Sequence, residues 1–134
     1  MAIRYLLDTN MASYVIKGNV PLVREKLVRI PMADVGISVI TEAELRFGVT
    51  RKPEASRLAP AVEEFLLRVE IIPWDSEAAK MYTLIRATLE RTGEPMGNLD
   101  MMIAAHALAL PATLVTHDRV FRRVKQLKVE DWTK

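Results

Sequence analysis

What most constrains this chain is a regular alternation of short β-like runs with helical ones. Residues 3–7 form a short, mostly apolar run ending at Asp8, and residues 35–40 form a second, rich in β-branched side chains and ending at Thr41. A third run spans 70–74, a fourth 112–116 and a possible fifth 128–131. Between them apolar residues recur at helical spacing: Leu22, Val23, Leu27 and Ile30; then Leu58, Val62, Phe65, Leu66 and Val69; then Ala78, Tyr82, Ile85 and Leu89. A short helix is expected after the second strand, stopped near Gly48. Asp75 or Ser76 can cap the helix after the third, and Gly93 is placed to end it. Asn98 can cap one running to about Leu110; its stretch 101–110 is apolar nearly all round, which predicts burial. Strands alternating with helices predict an α/β fold with a mainly parallel sheet of four to five strands and helices on both faces.

Composition fits one domain over residues 1–134. The chain is 134 residues long and 50% apolar, enough for one sizeable core. A formal net charge of +2 argues against a protein that coats DNA non-specifically. With no cysteine there is no disulfide, thiolate zinc site or thiol nucleophile. No run has the roughly 20 apolar residues of a membrane span, and the amino terminus lacks the pattern of a secretory signal. The expectation is a cytoplasmic protein with no membrane association.

Four carboxylates carry the functional signal. Asp8 directly follows the first strand in LLDTN, and Asp118 follows the fourth in LVTHD. Glu44 in TEAEL is expected in the first turn of the helix after the second strand, and Asp100 in the first turn of the buried helix. In a parallel sheet the carboxyl ends of strands and the amino ends of the following helices share one edge, where such folds bind ligands. Each acid also has a plain structural use. Asp8 and Asp100 suit helix starts, Thr41 and Glu44 have capping-box spacing, and Asp118 suits a turn. Four on one edge outweigh those uses. Two carboxylates about 4 Å apart repel by roughly 4 kcal/mol at an effective dielectric near 20, a cost that a divalent cation removes. Hard oxygen donors favour Mg2+ or Mn2+, and the chemistry implied is phosphoester hydrolysis. Glu42, two positions from Glu44, points elsewhere on a helix.

These segments resemble the PIN-domain family, specifically the VapC-type toxins of bacterial toxin–antitoxin pairs. LLDTN is similar to the family's opening strand and first acid, and SVITEAELRFGV to the segment carrying the second, at Glu44. PMGNLDMMIAAHAL resembles the most characteristic segment, with Asp100. LVTHDRVFRRV resembles the fourth, with Asp118 and Thr116 as an accompanying hydroxyl, and VEDW is a typical ending. The resemblance spans essentially the whole chain. It implies a PIN-like three-layer α/β/α sandwich and an Mg2+- or Mn2+-dependent endoribonuclease that cuts a structured RNA, tRNA or rRNA, and inhibits translation. It further implies a homodimer and a cognate VapB-type antitoxin whose tail enters the active-site groove.

Thr9 and Asn10 could hydrogen-bond the carboxylates or serve the turn. Arg119, Arg122, Arg123 and Lys125, with Lys128 beyond, could hold RNA phosphates beside Asp118, or form a solvated face. His117 could be an acid or base but reads as an exposed loop histidine, and His106 as a satisfied core residue. Met101 and Met102 read as core filler, and Trp74 and Trp132 as edge packing. A phospho-receiver domain is the alternative from another class. It would need paired acids after the first strand and a Lys after a late strand, and Leu7-Asp8 and LVTHD supply neither. A haloacid-type phosphatase would need Asp-x-Asp where the chain has Asp8-Thr9-Asn10.

Overall fold

A computed structural model describes residues 2–52 and 57–134. Five strands, β1 (Tyr5–Leu7), β2 (Val35–Ser38), β3 (Glu70–Ile72), β4 (Thr113–Val115) and β5 (Val129–Glu130), form one sheet in the order β3-β2-β1-β4-β5. Every neighbouring pair is parallel. β1 lies at the centre, with Leu7 in register with Ile37 on one side and Val115 on the other. The chain leaves β1 toward β2 and β3, then returns across it to β4 and β5. The carboxyl end of the β1–β4 pair is therefore the switch point where open parallel sheets bind ligands.

Alternation along the central strands builds the two outer layers. Leu6 and Leu114 face one side; Leu7, Ile37 and Val115 face the other, all with no exposed surface. The first side is covered by α5 (Ser76–Thr92) and α6 (Asn98–Ala109), through Ile85, Leu89, Ile103 and Ala104. The second is covered by α1 (Thr9–Lys17), α2 (Pro21–Val28), α3 (Val39–Thr50) and α4 (Ala59–Arg68), through Met11, Val23, Leu45, Val62 and Phe65. Helix α6 is buried as its all-round apolar sequence predicts, its small Ala104, Ala105 and Ala107 allowing close packing. Trp132 is buried in the second core cluster and stacks edge-on to Tyr5. Gly36 of β2 has no room for a side chain: a Cβ would lie 2.8 Å from Ile72 Cδ1 and 3.2 Å from the Glu70 carbonyl.

Several expected boundaries are corrected. Val39 and Ile40, read as strand for their β-branching, open α3 instead, because buried Ser38 turns the chain and accepts from the Ile40 N–H at 3.1 Å. Thr41 is thus not a cap but a buried residue of the first turn, and Glu44 lies in the second turn. Gly48 does not stop α3, which runs on to Thr50; one glycine costs a helix only about 1 kcal/mol against alanine. Trp74 lies outside β3, donating its indole N–H to the Met102 carbonyl at 2.9 Å. Asn98 does not cap α6; it is the first helical residue, and Gly97 holds the cap position. Asp75 and Gly93 do bound α5, Gly93 in the left-handed region at φ 69°.

Candidate functional site

Asp8 sits where β1 gives way to α1. Its backbone N–H donates to the Val115 carbonyl at 3.1 Å, fixing the residue beside the end of β4. Its carboxylate caps α1, with Oδ1 accepting from the Met11 N–H at 2.8 Å, while Oδ2 accepts from the Thr116 hydroxyl at 2.5 Å. Asp8 is only 4% exposed. Burial pushes its carboxyl up to about 6 and the nearby Asp100 and Asp118 charges add to the rise, while the Thr116 and Met11 hydrogen bonds oppose it. Capping and membership of an acidic site are thus compatible in one side chain.

Thr116 links the two central strand ends. Besides donating to Asp8, its hydroxyl oxygen accepts from the Asp118 N–H at 3.0 Å. Asp118 is exposed and caps a short 3-10 turn over Arg119–Arg123, accepting from the Val120 N–H at 2.9 Å. On the other flank the Thr9 hydroxyl donates to Glu44 Oε1 at 2.5 Å and lies 3.3 Å from the Thr41 hydroxyl. Asp100, in the first turn of α6, is half-buried with Oδ2 close to Gly97. Burial raises its carboxyl, and the Asp118 and Glu44 charges raise it further.

The four acids therefore share one electrostatic field at one sheet edge. They are not a finished metal cage: among the described residues no three carboxylate or imidazole side chains converge closely enough to hold an ion as they stand. The hydrogen bonds account for this, since each of Asp8, Glu44 and Asp118 spends at least one oxygen on a protein donor, and like charges stay apart. The donor set still fits Mg2+ or Mn2+. It is all hard oxygen, and Mg2+ is commonly held by one or two carboxylates while it keeps several waters.

The remaining candidates divide. Asn10 is exposed in a groove that also reaches Glu44, and it makes no hydrogen bond to the acids. Arg119 and Arg122 are exposed beside Asp118 and in no ion pair among the described residues. Arg123 instead donates to the Pro95 carbonyl, which ties the turn to the loop before α6, and it lines a hollow against α5 together with Lys125. Glu42 pairs with Arg46 at 3.0 Å, away from the acids. His106 is a buried core residue, its Nδ1 2.8 Å from Ser38 Oγ; burial lowers its pKa. Thr41 is the site neighbour that sequence reasoning misassigned. Its signal was a hydroxyl one turn before Glu44, which only the earlier helix start reveals.

Known proteins match this chain over nearly its whole length. Residues 5–127 match the model of the PIN domain. The chain is 35% identical to the tRNA(fMet)-specific endonuclease VapC of Shigella flexneri over 132 residues, 98% of this chain and 99% of that one. Among solved structures, DNA-bound VapBC from Salmonella typhimurium superposes with a TM-score of 0.90 at 35% identity, covering 97% of this chain and 98% of that one. VapBC2 from Rickettsia felis, bound to a DNA fragment of its promoter, superposes at 0.88 with 33% identity, covering 97% and 99%.

Proposed function

The chain belongs to the PIN-domain family, and with VapC ribonucleases as full-length relatives we propose that it is a ribonuclease toxin that cuts a structured RNA and thereby inhibits translation. The observation that carries this reading is the mutual field of Asp8, Asp100, Asp118 and Glu44 at the β1–β4 switch point. A curated relative is named for tRNA(fMet), so a transfer RNA is the substrate class proposed. Relatives crystallised as VapBC complexes support a VapB-type antitoxin as partner. The receiver alternative gains nothing from the structure, since Asp8 is the sole acid directly after β1.

Asp8, Glu44, Asp100 and Asp118 would hold a Mg2+ or Mn2+ ion. Such an ion supplies Lewis acidity at a phosphoryl oxygen and makes a bound water more acidic. The residues themselves do the orienting. Thr116 holds the Asp8 carboxylate and favours its charged form, and Thr9 holds the Glu44 carboxylate through Oε1. Burial, and then the charges of Asp118 and Glu44, raise the energy of the Asp100 carboxylate, a cost that a bound cation would offset. Arg119 and Arg122, free of internal partners among the described residues, suit phosphates flanking the cut. Among those residues no helix is long and apolar enough to cross a membrane.

The test is expression in a bacterial host without a partner. Growth should stop and discrete tRNA fragments accumulate, while Asp8→Ala and Asp100→Ala, each shown to be folded, should restore growth. A folded Asp100→Ala variant that still arrests growth and cuts RNA would refute the site.

A further inference from the structure

Glu44 and Phe47 stand three residues apart on α3, so they share one face of the helix, about 4.5 Å apart along its axis. Leu99 immediately precedes Asp100 in the first turn of α6. Each of these two helices thus brings an apolar side chain to the edge along with its acid. Both are left open: Phe47 is 62% exposed and Leu99 46%. One hollow of about 530 Å3 is lined by this pair together with Thr9, Glu44, Gly48 and Arg51. That lies in the size range of ligand sites. Because Glu44 and Thr9 line it, the hollow opens directly from the acidic edge.

Gly48, inside α3, is a residue that nothing in the described fold calls for. Its φ is not in the left-handed region. A Cβ there would meet nothing within 4 Å among the described residues, beyond its chain neighbours and its own helix backbone. Alanine would fit and would favour the helix. Gly36 is the contrary case, forced by the packing around it. The missing side chain at position 48 instead leaves the hollow wider beside Phe47.

Charge points to the occupant. Arg51 ends α3 with its guanidinium carbon 5.6 Å from the centroid of the Phe47 ring, and Lys52 follows; both are exposed. Unpaired bases of RNA stack on aromatic rings and guanidinium planes, and their phosphates favour nearby cations. A base hangs from its phosphate through one sugar ring. A phosphate held at Glu44 therefore leaves its own base within reach of a ring one helical turn away.

We infer that Phe47, with Leu99 and the gap over Gly48, forms a pocket for one unpaired nucleobase next to the cleavage site, stacked on the Phe47 ring. The inference rests on the ribonuclease reading and adds to it a base-binding subsite.

The experiment pairs protein variants with altered RNA. Phe47→Leu keeps apolar bulk and removes the aromatic face, Phe47→Tyr keeps that face, and Gly48→Leu fills the gap. After the cut is mapped on total tRNA, kinetics are measured on a synthetic stem–loop carrying that site and on copies with single abasic positions. The expected result is a KM about ten-fold higher for Phe47→Leu, the effect of one stacked base, with kcat and melting temperature unchanged. Phe47→Tyr matches the wild type. Gly48→Leu also raises KM, although it melts no lower than the wild type. One abasic position next to the cut costs the wild type the same factor and costs Phe47→Leu nothing. If Phe47→Leu cuts as well as the wild type, or every abasic copy costs both proteins equally, the inference alone is overturned. It is overturned too if Phe47→Leu loses activity by falling from dimer to monomer in light scattering, since a second copy then covers the ring. A folded wild type that cuts no RNA overturns the ribonuclease reading and the inference with it.

Discussion

Replacing Asp8 by asparagine should stabilise the metal-free protein at neutral pH while abolishing its activity. The folded carboxyl titrates at about 6 against the ordinary 3.8. That displacement corresponds to about 3 kcal/mol at 1.36 kcal/mol per pH unit. The sign follows from proton counting: between about pH 4 and 6 the folded protein holds a proton that the unfolded chain has lost, so stability falls as pH rises through this window and levels off above it. Asparagine carries no charge to desolvate. Its oxygen can still accept from the Met11 N–H, and its amide then faces the Thr116 hydroxyl, which must turn to accept. That rearrangement offsets part of the gain, leaving about 1–2 kcal/mol, or roughly 4–8 °C in melting temperature for a domain of this size. The assay is thermal unfolding of both proteins in chelator at a series of pH values from 4 to 8. The variant should melt higher at pH 7.5, with the gap closing by pH 4. A variant that melts lower than wild type at pH 7.5, or a gap independent of pH, would refute the reasoning and leave Asp8 as a helix cap with no stored cost.

Thr116→Val should act in the opposite direction. Loss of the donor to the ionised Asp8 costs about 1.5–3 kcal/mol at neutral pH and pushes the Asp8 pKa higher, so cleavage should need a higher pH than in the wild type, as read from a pH–rate profile. Gly36→Val should lower stability by about 1–3 kcal/mol in denaturant melts, because the added atoms press on the Glu70 carbonyl as well as on Ile72. Leu84 of α5 is 62% exposed and the family resemblance implies a homodimer, so the protein should be at least a dimer by light scattering at micromolar concentration; a strict monomer would count against it.

The sheet was legible because β1, β2 and β4 are short, mostly apolar runs ending at a polar residue, and because Leu6 and Leu7 are both apolar, as strands covered on two faces require. The shared edge was legible for the same reason, Asp8 and Asp118 being among the first polar residues after β1 and β4. Local pattern misled at β2. Val39 and Ile40 favour a strand by their branching, and only the capping hydrogen bond from the Ile40 N–H to Ser38, together with burial of Ser38 against His106, shows that the helix has begun. Thr41 and Asn98 failed as caps because cap spacing says where a helix could start, while the packing of its neighbours decides where it does. The contact of His117 Nδ1 with Asp131 Oδ2 joins residues 14 apart through tertiary structure and has no local signature. Arg123 looked equivalent to Arg119 and Arg122 in the basic run, yet its guanidinium is committed to the Pro95 carbonyl.

The central claim, that the acidic edge between β1 and β4 cuts RNA, is tested most directly by incubating the purified partner-free protein with total tRNA and Mn2+ and sequencing the new 5′ ends. The wild type should give one dominant cut in one tRNA, abolished by chelator and by Asp100→Asn, with the variant shown by its melting curve to be folded. Cleavage that persists at the same position in folded Asp100→Asn would contradict the account.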